Sequence, residues 1–388
     1  MESLNEKKII KALSAGHFIT DAYSGFLNPI MPFIAAYIGI SMTVATILIS
    51  VSNLTSSLSQ PFFGFIADKW QRRFFIFWGM IMASIFLSFL GIAHNIYTLI
   101  ICLLLGHMGV AFFHPQATSL VSKYSQCNSN SKEMSIFIAM GTFGFSLGPA
   151  ISSGIASLWG LDKLPFACFL GIIFAFILLK TVPKANIQCV EKPKISITQA
   201  LSKIFSNKPV AVLVIASIVK SFVVSSFNII LPFYWKSVGF DVAKIGIILF
   251  IFMMAGALGV VSSPFIEKRI GVRNVFYLSL IPVTPLGIIF YLSGGQGVIG
   301  LVSFILIGYV SFLAVPVNMY LAQRLMPDFK SMISGFIGGF SWGVIGIVLP
   351  LISHISQIIG IINILFIITF IPLIFSYFIK VLPKNAEV

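Results

Sequence analysis

Charge is what this sequence has least of. Only 9% of its 388 residues are charged and just 11 are acidic, against about 25% charged in an ordinary soluble domain. A water-exposed surface cannot be built from so few charges when 58% of the residues are hydrophobic and the mean hydropathy is +1.02. Soluble enzymes and nucleic-acid-binding domains are excluded on that ground. Cysteine is scarce too. Cys102 and Cys168 sit in apolar runs and Cys127 and Cys189 in polar loops, with no CxxC spacing, which argues against a zinc ribbon and a disulfide framework. There is no HExxH motif and no glycine-rich phosphate loop ending in Lys-Ser or Lys-Thr, so a zinc protease and an ATP-driven pump are ruled out. No cofactor is expected.

What is present is apolar sequence in runs, near 10–37, 42–66, 74–93, 96–122, 134–158, 164–181, 209–235, 243–265, 274–293, 297–323, 331–353 and 360–380. A membrane core about 30 Å thick takes about 20 apolar residues per helix. The expectation is therefore an all-α membrane protein with twelve transmembrane helices. The longest polar stretch, a cytoplasmic linker at 182–208, separates an N-terminal six-helix bundle, 1–181, from a C-terminal one, 209–388. The first run follows Lys7, Lys8 and Lys11, outlasts a signal peptide and contains Asp21, so it reads as a span rather than a leader.

With both termini in the cytoplasm, only Lys163, Lys236 and Lys244 fall outside and Lys220 lies within a span. All other Lys and Arg residues then lie on the cytoplasmic side, the bias that orients inner-membrane proteins. The net charge of +14 is thus a topology signal. It calls for a lipid bilayer and for no nucleic-acid partner, and the chain is expected to act as a monomer.

The two halves repeat. Leu27-Asn28-Pro29-Ile30-Met31-Pro32-Phe33 reads against Phe227-Asn228-Ile229-Ile230-Leu231-Pro232-Phe233, Gly39 matches Gly239, and Gly144-Phe145-Ser146 matches Gly339-Phe340-Ser341. Pseudo-symmetric six-span halves are a transporter architecture, with a small-molecule site near the midplane between them.

Polar residues inside the runs are the candidates for that site. Asp21 is the one acid deep in a span, where an unpartnered carboxylate costs several kcal/mol. It is either functional or a structural carboxylate bonded to a neighbouring helix. His17, Asp21, Ser24 and Asn28 follow helical spacing and are expected on one face. Ser50, Asn53, Ser57 and Gln60 form a second stripe, which lines a cavity or bonds across helices. Lys220 lies one residue from the repeat equivalent of Asp21, so the two are expected to approach each other across the cavity, and a basic residue there favours an anionic substrate. Asn228 repeats Asn28. His114, beside the helix-bending Pro115, serves either substrate and proton relay or helix packing. A metal site is not expected, because His107 and His114 are two turns apart and no nearby Cys, Asp or Glu completes a ligand set.

Gly64-Phe65-Ile66-Ala67-Asp68-Lys69-Trp70-Gln71-Arg72-Arg73 resembles the GxxxD(R/K)xGRR signature of the major facilitator superfamily, with Gln71 in place of the usual glycine. In that resemblance Gly64, Asp68, Lys69, Arg72 and Arg73 make a cytoplasmic ion-pair gate. Gly141, Gly144, Gly148-Pro149 and Gly154 resemble the glycine-proline motif of its drug/proton antiporters, a helix-packing motif. Gly16-His17-Phe18-Ile19-Thr20-Asp21, Ser59-Gln60-Pro61-Phe62-Phe63-Gly64 and Phe113-His114-Pro115-Gln116-Ala117-Thr118 resemble its fosmidomycin-resistance branch. The resemblance implies a secondary transporter that exports small, often anionic or amphiphilic compounds in exchange for protons. Asp21 and His17 would then take the proton, with Lys220, His114, Asn28, Asn53 and Asn228 around the substrate. An importing symporter or facilitator of the same fold is the alternative.

Overall fold

A computed structural model of the chain describes residues 2–69, 72–124, 130–183, 206–326, 333 and 336–384. Every regular element among them is helical. The first half holds α1 (Glu2–Ser24), α2 (Leu27–Ile38), α3 (Met42–Lys69), α4 (Arg72–Ser88), α5 (Ile96–Tyr124), α6 (Asn130–Trp159) and α7 (Cys168–Thr181). The second holds α8 (Lys208–Ser225), α9 (Leu231–Ser237), α10 (Val242–Ile270), α11 (Val272–Leu280), α12 (Val283–Leu292), α13 (Gly297–Leu313), α14 (Val315–Leu325), α15 (Ser341–Ile359), α16 (Ile361–Ile368) and α17 (Phe370–Ser376).

Among the described residues, 10 helical stretches are long and apolar enough to cross a membrane, and they coincide with the third to twelfth apolar runs. The second run contributes a shorter apolar stretch, Met42–Ser57. The first run, read as one span over 10–37, is two helices parted by a turn at Gly25–Phe26. Pro29 explains the break, because it has no N–H to offer the carbonyl of Gly25 and the i→i+4 ladder stops there. The Ser152 hydroxyl on α6 donates to the neighbouring Phe26 carbonyl at 3.0 Å, so the turn is tied to an adjacent helix. The single face expected for His17, Asp21, Ser24 and Asn28 is therefore interrupted before Asn28.

The surface is inverted relative to a soluble protein. Leu158, Leu292, Val298 and Ile347 stand exposed while Ser14, Thr20, Ser146 and Ser221 are buried, as expected when the solvent is hydrocarbon.

The chain divides into two compact units, residues 1–188 with 232–254 and residues 189–231 with 255–388. In the first unit, small residues let backbones touch. A Cβ on Gly144 would strike the carbonyl of Phe18, and one on Gly148 would strike the carbonyl of Ala22 and lie 2.7 Å from the Cα of Gly25. Helices α4 and α5 meet similarly, a Cβ on Gly79 falling 2.7 Å from the Gly109 carbonyl. Close approach of this kind is how helices associate in lipid, where no hydrophobic force separates helix from solvent. Gly144→Val is accordingly expected to destabilise by about 1–3 kcal/mol, seen as a lower unfolding temperature of the detergent-solubilised protein. An unchanged temperature would show that α1 and α6 need not touch at Phe18.

The second unit is built on a core that includes Val210, Leu213, Val275, Phe276, Leu321 and Ile379. Asn207 caps α8, its side chain accepting from the Val210 N–H at 3.4 Å. Two π-helical turns interrupt the unit's helices, Ser226–Ile230 after α8 and Phe336–Phe340 before α15.

Candidate functional site

In the first unit, α1 carries His17 and Asp21 one turn apart, and α5 brings His114 to the same point. His17 Nε2 lies 3.1 Å from Asp21 Oδ2, and His114 Nε2 lies 2.9 Å from Asp21 Oδ1. The two imidazoles stand edge to face with centroids 4.9 Å apart. Helix α6 closes the third side. The Phe137 ring stacks on His17 at 4.1 Å, and the Phe137 carbonyl is 2.8 Å from His17 Nδ1. Gly141 leaves the room this needs, since a Cβ there would run into the His17 ring and lie 2.8 Å from Asp21 Oδ2.

These contacts constrain the proton count. A carbonyl only accepts, so Nδ1 of His17 must be the donor to Phe137. Nε2 then faces a carboxylate oxygen at 3.1 Å, an ion-pair distance. His114 Nε2 is buried beside Oδ1 at 2.9 Å without completing a hydrogen bond, so the carboxylate is placed to share a proton or another cation with two imidazoles. The absence of an acid near His114, on which the expectation of no metal site rested, does not survive folding: α1 places Asp21 and His17 against it, at a distance in sequence that no local spacing reveals.

The remaining sequence candidates lie elsewhere. Asn28 is buried at the start of α2, Asn53 is half-buried on α3, and Asn228 is buried in the first π turn with its Oδ1 unpartnered. Among the described residues no hydrogen bond or ion pair ties these asparagines to the cluster. Gly64, Asp68 and Lys69 end α3, and Arg72 and Arg73 open α4; their side chains lie outside the described residues, as does most of the 182–208 linker. His107 is buried with Nδ1 donating to the Leu103 carbonyl at 2.9 Å, a satisfied packing residue. Gly144-Phe145-Ser146-Leu147-Gly148 spells a GxSxG pattern, but it lies inside α6 and the Ser146 hydroxyl donates to the Phe143 carbonyl at 2.7 Å. It has no strand-to-helix elbow and makes no nucleophile.

In the second unit, Lys220 sits between aromatic faces, its Nζ 5.2 Å from the ring centroids of both Phe312 and Trp342. It borders a cavity of about 20 Å³ together with Ser217, Ser279, Ser311 and Asn318, large enough for one water. Asn318 donates to the Leu213 carbonyl at 3.1 Å and to Ser217 Oγ at 3.0 Å, leaving its Oδ1 and the Ser311 hydroxyl without partners. No acidic side chain pairs with Lys220 among the described residues. The approach of Asp21 to Lys220 joins the two units and stays a proposal. Phe137, Phe312, Trp342 and Asn318 escaped the sequence reading because aromatic residues are too common here to stand out and because a backbone carbonyl has no sequence signature.

Helices that span a membrane, a polar cluster buried within one bundle and an aromatic-flanked cation in the other unit together define a multi-pass membrane transporter. A family model of the Major Facilitator Superfamily matches residues 13–350, and the chain belongs to that family. It is 26% identical over 359 residues to the fosmidomycin resistance protein of Escherichia coli (strain K12), covering 90% of this chain and 87% of that one. It is 24% identical over 289 residues to the multidrug resistance protein MdtG of Salmonella arizonae, covering 72% and 71%. Among solved structures it is similar to the D-xylose-proton symporter, with a TM-score of 0.74 at 13% identity over 98% of each chain, and to the nucleoside transporter NupG, with 0.71 at 16% over 96% and 98%. These likenesses establish the fold. The family and these neighbours are transporters and not enzymes.

Proposed function

We propose that the chain exports a small molecule across the inner membrane in exchange for protons, by alternating access between two six-helix bundles, 1–181 and 209–388, with both termini cytoplasmic. The observation that carries this reading is the His17–Asp21–His114 cluster, a carboxylate of the first apolar run held at 3.1 and 2.9 Å from two imidazoles. A site that holds a proton in one conformation and releases it in another biases the equilibrium between the two, which is all that coupling requires. Asp21 and His17 are assigned to the proton. His114, Lys220, Asn28, Asn53 and Asn228 are assigned to substrate contact, with an anionic substrate favoured by Lys220. Gly64, Asp68, Lys69, Arg72 and Arg73 are assigned to a cytoplasmic ion-pair gate. Export is supported by the drug-resistance names of the curated relatives, and the inward topology by the placement of Lys and Arg.

The test is proton movement driven by fosmidomycin in proteoliposomes holding the purified protein, followed with a pH-sensitive dye. With drug added outside, alkalinisation of the lumen that needs both drug and protein supports antiport, and acidification of the lumen supports symport instead. A flat trace with active protein removes the drug. The second reading, import with protons, is favoured by the likeness to a proton symporter and a nucleoside transporter. It predicts accumulation of a labelled metabolite under an inward proton gradient.

A further inference from the structure

We infer that His17, Asp21 and His114 form a binding site for a divalent transition-metal ion of the Zn²⁺ class. Three electron-pair donors converge here, two imidazole nitrogens and a carboxylate oxygen, all within 4.8 Å of one another. In a tetrahedral zinc site with bonds of 2.0–2.2 Å, neighbouring ligand atoms stand about 3.3 Å apart. Here His17 and His114 approach different oxygens of Asp21, at 3.1 and 2.9 Å, and one donor atom from each residue falls within 4.8 Å of the others, so the donors have to close on a common ion by up to about 1.5 Å. The donor set of two imidazoles and one carboxylate suits zinc, copper, nickel or iron, and is wrong for magnesium or calcium, which take oxygen.

Two further features point to a ligand rather than to helix packing. A metal-binding histidine usually donates its other ring N–H to a carbonyl, which fixes the tautomer and aims the free nitrogen. The Phe137 carbonyl does this to His17 from α6, at 2.8 Å. Among the described residues no Lys or Arg pairs with Asp21, whose recorded partners are the two imidazoles, and a metal ion between them would supply the positive charge. The side chains of His17, Asp21 and His114 retain 10%, 15% and 25% of their exposure while the donor nitrogen of His114 is itself buried, so the site is enclosed. The binding stands on ligand geometry alone. Its consequence, inhibition of transport by an ion seated where the proton belongs, rests on the antiport reading.

The experiment adds Co²⁺ to the purified protein in detergent, carrying no polyhistidine tag, and reads the visible absorption of low-symmetry cobalt. One saturating equivalent is expected, with Zn²⁺ displacing it. Affinity should fall on the order of 100-fold in His114→Ala and at least about tenfold in Gly141→Ala, whose added methyl group pushes on the His17 ring and Asp21 Oδ2 and so turns His17 off its bond to the Phe137 carbonyl. It should be unchanged in His94→Ala/His354→Ala, which removes the two exposed histidines outside the cluster. His114→Gln, which keeps a hydrogen-bonding side chain on α5, serves should His114→Ala fail to fold. No saturable absorption, or binding unaltered by either substitution at His114, overturns the site. Proton flux without cobalt binding leaves the transport reading standing, and cobalt binding without flux leaves the site standing.

Discussion

Asp21→Asn is expected to cut proton-linked flux about a hundredfold while leaving a folded, membrane-inserted protein. The substitution keeps size and one hydrogen-bonding oxygen but removes the carboxylate that faces both histidines at 3.1 and 2.9 Å. One charge-assisted contact contributes about 1.5–3 kcal/mol, and where it is made only in the proton-bound state about 3 kcal/mol is on the order of a hundredfold in proton-linked flux. An amide can still accept from one imidazole and donate to the other, which is why the fold is expected to survive. It cannot share a proton with His17. The initial rate of dye-reported proton movement in proteoliposomes is the measurement, and a rate near that of the unaltered protein would take Asp21 out of the coupling step.

Lys220→Met is expected to move stability and transport in opposite directions. The ammonium is held in the second unit by two aromatic faces, each 5.2 Å away, with no acidic partner among the described residues. Cation–π contacts give about 0.5–2 kcal/mol each, less than the several kcal/mol that a desolvated ion without a counter-charge costs. A methionine of similar length fills the space without that cost, so the unfolding temperature in detergent should rise. Transport of an anionic substrate should fall at least about tenfold, since one charge-assisted contact contributes about 1.5–3 kcal/mol. Such an opposition is the mark of a residue kept for function. If temperature and transport both fall, Lys220 is structural. The Asp21→Asn/Lys220→Met double variant tests the proposed pairing: a loss no larger than the greater single loss means that the two act as a unit, and additive losses mean that they act apart. Full activity in either single variant dismisses the pair.

Most of the fold was legible because hydrocarbon is an undiscriminating solvent. Any span must be apolar for about 20 residues, and the runs from 74–93 to 360–380 correspond to the helices from Arg72 to Val381. The first run defeated the count of spans as single helices, because hydropathy does not register the N–H that Pro29 lacks. At the site, His17 and Asp21 were legible as an i, i+4 pair on one helix. His114 was legible as an oddity beside Pro115, but not as a partner of Asp21, for that meeting depends on how α1, α5 and α6 pack. The glycines of α6 showed as a motif, yet the role of Gly141 in making room for His17 appears only when α1 lies against it. Lys220 stood out by charge alone, and the rings that hold it, Phe312 and Trp342, were hidden among 39 phenylalanines and 5 tryptophans.

The π turn at Ser226–Ile230 has a bearing on how this chain tolerates insertions and deletions. Such a turn is an α-helix that has swallowed one surplus residue, so chain length and rotational phase are decoupled there. Deleting a single residue from that turn restores ordinary α geometry and leaves the helix beyond it close to its present phase, whereas the same deletion in an α-helical turn would rotate everything after it by about 100°. Trp235, fully buried on α9, would keep its packing face in the first case and lose it in the second. Chimaeras that splice this chain to a relative within its seventh span can therefore differ by one residue through 226–230, but not in the α-helical turns on either side.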